Sequence, residues 1–368
     1  MKKNIILFMP NIEKGGIEKN LILLSSYLIK KSNITIVCGE ITEDVKNKLN
    51  NNVKIVLAKN YVKYRIFPKR ILNTINCFLE IFKNKEKIIF HNTIIFSLQN
   101  HPFPIFLSKL IRKKIIIRIA NHPYSSLKYF NNLPIFYLKI FIKLFFYRFA
   151  DGIICNSNSS RLYLKKFLKN KPIITIFNPL IIKKGNIFNN LRKNILTVGR
   201  LENQKNIGGI IKALSEVKKI YPHLKLIIIG SGSEKNKLKY LANKMHLNNN
   251  IEFKGYTDPE NFLLTSQILI LNSFFEGMPN ILLEGLACKI PIISTNCKSG
   301  PDEILDNGKY GKLIEVDNHK MLSETIIDTL KNYKKAQKIA EIGFHSLNRF
   351  EPNQQLYKIE SYLENFSN

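Results

Sequence analysis

Short apolar runs separated by amphipathic stretches run the length of this 368-residue chain. In the first half they fall at residues 5–8, 34–38, 53–57, 88–91, 115–119, 152–155 and 173–177. Runs this short and this apolar predict strands buried on both faces. The helical periodicity between them predicts β-α-β crossovers around a parallel sheet. The pattern pauses at Asn178-Pro179 and the polar stretch 183–194, then restarts at 195–198, 224–229, 251–253, 268–271, 291–294 and 312–314. The expected fold class is α/β: one doubly wound domain over 1–180, a linker at 181–193 and a second over 194–348. A last helix is expected within 349–368, with Leu356, Ile359 and Leu363 on one side.

Composition narrows the class. Hydrophobic residues make up 45% of the chain, enough to fill two cores, and the length is too great for one. The 57 Lys and Arg against 27 Asp and Glu give a formal charge of +30, which favours nucleic acid, phospholipid or phosphorylated substrates as partners. An AT-rich genome would account for part of that bias. Five scattered cysteines with no Cys-x-x-Cys pair argue against a disulfide framework or structural zinc and fit a reducing cytoplasm. The opening Met1-Lys2-Lys3 resembles a signal peptide, but its apolar run stops at Pro10 and is read as a first strand. No transmembrane helix is expected, because the longest charge-free window, 88–108, carries two His and two Pro.

In open parallel sheets, ligands collect where strands end in loops, so the chemistry is sought there. The most informative loop is 273–284, Ser-Phe-Phe-Glu-Gly-Met-Pro-Asn-Ile-Leu-Leu-Glu. Gly277 permits a turn, Pro279 suits a first helical position, and the N–H groups at Asn280, Ile281 and Leu282 would face an anion. Glu276 in the turn and Glu284 in the helix are eight positions apart and would serve different parts of one ligand, or be a turn acid and a half-exposed helix acid. Gly15-Gly16-Ile17-Glu18 opens a helix after the first run, as a phosphate-approach loop or a plain tight turn. Arg200 and Lys205 make a diphosphate clamp or solvated surface charge. Gly230-Ser231-Gly232-Ser233 is a loop of the same cleft or a helix start capped by Ser233. Ser299-Gly300-Pro301-Asp302-Glu303 opens a short helix, with its acids suited to the helix dipole. His122 follows the 115–119 run, able to bond a sugar hydroxyl, assist proton transfer or simply pack. His91 also ends a strand-like run.

Taken together, Gly15-Gly16-Ile17-Glu18, Gly199-Arg200 with Lys205, and Glu276 with seven residues before Glu284 resemble glycosyltransferase family 4. Ala150-Asp151-Gly152-Ile153-Ile154 before Asn156-Ser157, and Asn178-Pro179, are similar to that family as well. The resemblance implies a GT-B architecture, two Rossmann-like doubly wound parallel-sheet domains with a cleft between them and the 349–368 segment packing back on the first. It implies retaining transfer from a nucleotide sugar with no obligatory metal or other cofactor. By position, Arg200 and Lys205 would neutralise the donor diphosphate and Gly15-Gly16 would lie against it. Glu276 would contact the donor sugar, Glu284 the ribose, and His122 the reacting centre, although Asn121 and Pro123 depart from the family's commoner His-Gly form. Gly277, Pro279, Asn280 and Ile281 would complete the donor site, and Glu18, Gly230, Ser299, Gly300 and Glu303 are further contacts. The 299–305 segment is similar to members that add N-acetylgalactosamine or related hexoses to lipid-linked oligosaccharides.

Between Tyr61 and Arg148 there are 16 Lys or Arg against Glu80 and Glu86, so about half the net charge lies in a quarter of the chain. Within that region 133–149 is almost wholly apolar, broken by Lys139, Lys143 and Arg148. It is either a buried helix or one laid against a bilayer at the inner face of the plasma membrane, with a polyprenyl-diphosphate-linked glycan as acceptor. A nucleotide-sugar epimerase on a related scaffold and a basic nucleic-acid-binding protein are the competing classes. The second leaves Glu276 and Glu284 unexplained.

Overall fold

The structure, a computed structural model, describes residues 2–12, 16–62, 68–99, 102–124, 133–180 and 192–366. The chain forms two compact units, Met1–Pro179 with Pro352–Asn368, and Leu180–Glu351. Most of the 181–193 stretch lies outside the described residues.

The first unit carries a seven-stranded parallel sheet in the order β3-β2-β1-β4-β5-β6-β7. Its strands are β1 Lys3–Phe8, β2 Ser32–Cys38, β3 Lys54–Leu57, β4 Thr93–Ser97, β5 Lys114–Ile119, β6 Gly152–Cys155 and β7 Ile173–Thr175. Alternation sorts β1 onto two cores: Ile5 and Leu7 face one side with Leu21 and Ile36, Ile6 and Phe8 the other with Ile95 and Ile117. A parallel sheet needs both faces covered. On the first face the Gly16–Leu28 helix is joined by the chain's last helix, Pro352–Glu364, which buries Leu356, Ile359 and Leu363 to 2% exposure or less. Tyr362 fixes it in place, its hydroxyl donating to the Pro172 carbonyl at 2.6 Å.

One predicted strand is corrected. Residues 88–91 form no strand: Ile88 closes a short Lys85–Ile88 helix and His91 lies exposed in the turn after it. The strand is Thr93–Ser97, buried throughout between β1 and β5. Thr93 starts it by accepting from the Phe90 N–H through its hydroxyl at 2.8 Å, and a central strand favours the β-branched Thr-Ile-Ile over the shorter Ile-Ile pair upstream.

Two buried ionic side chains organise the loops of this unit. Glu80, 6% exposed, accepts from the Lys59 N–H, the Tyr61 hydroxyl and the Asn84 amide, tying β3 to the Lys69–Lys83 helix. Arg118 on β5 is 7% exposed and donates to the Asn178 side chain at 3.0 Å. Burial lowers its pKa to about 10, so it stays charged at neutral pH. All five cysteines are buried and none forms a disulfide, and burial pushes the Cys38 and Cys288 thiols up to about 12.

The second unit carries a six-stranded parallel sheet in the order β10-β9-β8-β11-β12-β13. Its strands are β8 Ile195–Val198, β9 Leu226–Ile229, β10 Ile251–Gly255, β11 Ile268–Leu271, β12 Ile292–Thr295 and β13 Lys312–Ile314. Strand order reverses at β8, which pairs with β9 on one side and β11 on the other. This is the switch point at which such sheets open a crevice beyond the strand ends.

Replacing Ile359, fully buried, by Ala should lower the stability of the first unit by about 2–5 kcal/mol, read from its urea-unfolding midpoint. A midpoint unchanged from wild type would show that the last helix is not part of that core.

Candidate active site in the second unit

The loops after β8, β9, β11 and β12 meet at the switch point, and backbone contact holds them there. Leu201 N–H donates to the Ser231 carbonyl at 2.9 Å, and Phe274 N–H to the Gln204 carbonyl at 2.9 Å. Gln204 returns a bond through its side chain to the Phe275 carbonyl at 2.8 Å. Gly230, at φ +142°, lies so close that an added Cβ would stand 1.8 Å from the Gly199 carbonyl oxygen. Gly300, at φ +96°, approaches the Gly277 carbonyl in the same way, at 2.4 Å from an added Cβ. Only glycine tolerates both the dihedral and the approach. Beside it Ser299 holds φ +83°, and its hydroxyl donates to the Gly277 carbonyl at 3.0 Å.

Inside this frame sits an ionic cluster. The Lys205 ammonium lies 2.5 Å from Glu276 Oε1, and the Ser273 hydroxyl donates to the same oxygen at 2.6 Å. The side chains of Lys205 and Glu276 are 15% and 8% exposed, so the pair is largely withdrawn from water. Ser273 is positioned in turn by Thr295 on β12, whose hydroxyl donates to the Ser273 carbonyl at 2.7 Å. Arg200 is exposed on the same loop as Lys205, 3.5 Å from the Gln204 side chain. The structure thus brings Lys205 and Glu276 into one cluster, with Gly277 in the turn between Glu276 and the helix.

The helix that follows is Asn280–Ala287, with Pro279 as its N-cap at ψ 104° instead of its first helical residue. Pro279 still shapes the start, because the Leu282 N–H donates to its carbonyl at 3.0 Å. Ile281 is buried and Glu284, 8% exposed, lies one turn further along. Ser233 does not cap the Lys235–Lys244 helix; Glu234 stands at that position, and Ser233 gives both its N–H and hydroxyl to Glu202 at 3.0 and 2.9 Å. The longer carboxylate of Glu202 satisfies two donors at once and outcompetes a cap contact. Glu303 lies in the short Pro301–Ile304 helix, its backbone carbonyl accepting from Arg349 at 3.2 Å.

The remaining residues singled out by the sequence belong to the first unit. Gly16 opens the Gly16–Leu28 helix, Glu18 is 7% exposed in its first turn, and Gly15 lies outside the described residues. His122 follows β5, 4% exposed, with its ring 5.1 Å from that of Tyr163.

Three members of the site carried no signal strong enough to be singled out. Ser273 and Thr295 are small hydroxyls whose role appears only when β11 and β12 lie side by side. Asn206 adopts a left-handed conformation, φ 44°, caps the Ile207–Val217 helix through Gly209 N–H and accepts through its carbonyl from Asn272 at 3.0 Å. An Asn directly before a glycine-containing helix was the available clue.

Comparison with known proteins follows this geometry. Residues 180–345, nearly the whole second unit, match the family described as glycosyl transferases group 1. An uncharacterized glycosyltransferase of Methanocaldococcus jannaschii is 34% identical over 287 residues, 71% of this chain and 68% of that protein. A Campylobacter jejuni alpha-1,4-N-acetyl-D-galactosaminyltransferase, named for a GalNAc-containing diphospho-undecaprenol substrate, is 23% identical over 88% of this chain and 87% of its own. Anabaena HepE, solved with UDP and glucose, superposes with a TM-score of 0.78 at 15% identity, over 99% of this chain and 100% of that one. Two parallel-sheet α/β domains of this kind are the GT-B fold. The chain belongs to the glycosyl transferases group 1 family.

Proposed function

We propose that this glycosyltransferase moves a hexose or N-acetylhexosamine from a UDP sugar to a lipid-linked glycan with retention of anomeric configuration, in the synthesis of a bacterial surface polysaccharide or glycoconjugate. The observation that carries the reading is the Lys205–Glu276–Ser273 cluster, held at the switch point by interlocked loops beside Arg200. In the reaction the bond from the anomeric carbon to the diphosphate breaks and a bond to the acceptor oxygen forms on the same face. Negative charge builds on the departing diphosphate. Arg200 and Lys205 stabilise it together with N–H groups at the start of the Asn280–Ala287 helix, without recourse to a resident metal. Glu276, near neutralised by Lys205 before the donor arrives, releases that ammonium to the diphosphate and turns its carboxylate to the sugar hydroxyls. Glu284 accepts from the ribose hydroxyls. His122 remains a candidate for the reacting centre, and Gly15-Gly16 for contact with the diphosphate. The UDP part is supported by HepE, solved with UDP and glucose, and the lipid-linked acceptor by the Campylobacter jejuni relative's name. The excess of Lys and Arg in the 61–148 region supports a position at an anionic membrane surface on the cytoplasmic face.

Three outcomes test the site. In a panel of nucleotide sugars the melting temperature should rise most with its donor. Arg200→Ala and Glu276→Gln should each lower kcat/KM about a hundredfold, equivalent to ~3 kcal/mol of transition-state stabilisation, and full activity in both variants would place the chemistry elsewhere. Gly230→Ala should abolish UDP-induced stabilisation, because the Gly199 carbonyl must move to admit the methyl. Stabilisation retained at wild-type size would mean that the 199–205 loop takes no part in donor binding.

A further inference from the structure

The first unit carries an apolar surface on helices that cover one face of its sheet. Three helices share one face of its sheet: the Pro102–Leu110 helix packs between the Lys69–Lys83 and Leu133–Tyr147 helices. The last of these turns Phe136 and Tyr147 inward, at 2% and 1% exposure. Outward it shows Leu138 at 58%, Phe141 at 67%, Ile142 at 42% and Phe145 at 43%, a stripe at helical spacing on the solvent side. Phe141 and Phe145 stack at 6.5 Å, and Phe149 continues the row 5.3 Å from Phe145. The middle helix adds Phe106 and Leu110, 57% and 50% exposed, and the first adds Phe82 at 42%. Monomeric proteins seldom leave so continuous an apolar face in water.

Beside Leu110 this face opens into a groove of about 330 Å³, lined by Phe82, Ile89 and Leu110 with Lys85 and Arg112 at its sides. It lies near the starts of β4 and β5, the end of the sheet opposite the strand ends where donor chemistry is sought. The stripe itself is flanked by Lys139 and Arg148, both exposed, and holds no acid, whereas Lys143 lies on the inward side with Phe136 and Tyr147, where burial lowers its pKa. Glu86 is the acid at the groove. The Leu133–Tyr147 helix has 15 residues, about 22 Å, shorter than a bilayer's ~30 Å core, and no helix among the described residues is long and apolar enough to cross a membrane.

We propose that this three-helix face docks on an anionic phospholipid bilayer, with Phe141 and Phe145 entering the interface, cations meeting the headgroups, and the Leu110 groove seating one phospholipid. Charge complementarity selects this occupant: an apolar stripe bordered by cations matches acyl chains beneath anionic headgroups, whereas a soluble protein partner would require acids placed to match each one. The proposal deepens the lipid-linked-acceptor reading and rests on it, since it brings the enzyme to where such an acceptor resides. It uses none of the second unit's residues.

The test is flotation of the purified full-length protein with phosphatidylglycerol-containing vesicles, beside pure phosphatidylcholine. We expect co-flotation with the anionic vesicles that weakens with salt. Phe141→Glu with Phe145→Glu, and separately Leu110→Glu, should each reduce partitioning about tenfold. These side chains are exposed, so circular dichroism and UDP-induced thermal stabilisation should stay as in wild type. Lys139→Glu with Arg148→Glu provides a second variant that leaves the apolar stripe intact and should also bind less. Absence of binding to anionic vesicles overturns the proposal, as does wild-type binding by the Phe141/Phe145 variant. A dimer in light scattering that the same variant dissolves would assign the face to a second copy of the chain. Loss of UDP stabilisation in wild type would instead count against the donor-site reading and leave the vesicle result standing.

Discussion

Lys205 and Glu276 are both largely withdrawn from water, and everything distinctive about the second unit serves to hold them together. A buried ion pair is weak evidence for stability by itself, because desolvation cancels most of the Coulomb gain. Removing one partner is different: it strands a charge at a cost of about 3–5 kcal/mol. The pair therefore constrains the loops that bear it. Ser273 supplies a second donor to the same carboxylate oxygen, Thr295 fixes Ser273, and Gln204 stitches the 199–206 loop to the 273–280 loop. A site so bonded is preorganised: under the proposed function Lys205 already stands in place and has only to exchange Glu276 for the diphosphate.

Some of the chain's backbone strain falls in the same place. Gly230 and Gly300 leave no room for a side chain beside neighbouring carbonyls, Ser299 adopts φ +83° with a side chain, and Asn206 adopts φ 44°. Non-glycine residues in the left-handed region cost free energy and persist only where surroundings over-determine them. Here the surroundings are the four loops themselves, each bonded to a neighbour. In the first unit Arg112 alone among the described non-glycine residues has a positive φ, and it lies at the groove beside Leu110.

Much of this was legible in the chain. Strand runs, the break after Pro179 and the loops carrying Arg200, Lys205, Glu276 and Glu284 are local patterns, and local patterns survive translation into sequence. The 88–91 run failed because two adjacent apolar pairs compete for one central strand, and only the neighbours β1 and β5 decide in favour of Thr93–Ser97. Ser273, Thr295 and the Glu202–Ser233 contact were invisible for a related reason: each depends on which strands lie adjacent. The 133–149 segment was ambiguous between a buried and a bilayer-facing helix, since an apolar side chain carries no mark of what covers it. Exposure of Phe141 and Phe145 sets aside the wholly buried reading, which hydropathy could not do.

The central claim is that the four loops after β8, β9, β11 and β12 act as one donor site. Hydrogen–deuterium exchange with and without UDP tests it most directly. Ligand should slow exchange together in 199–206, 230–234, 272–282 and 296–301, because each loop is bonded to a neighbour. Protection confined to one of these segments, or found only elsewhere in the chain, would contradict it.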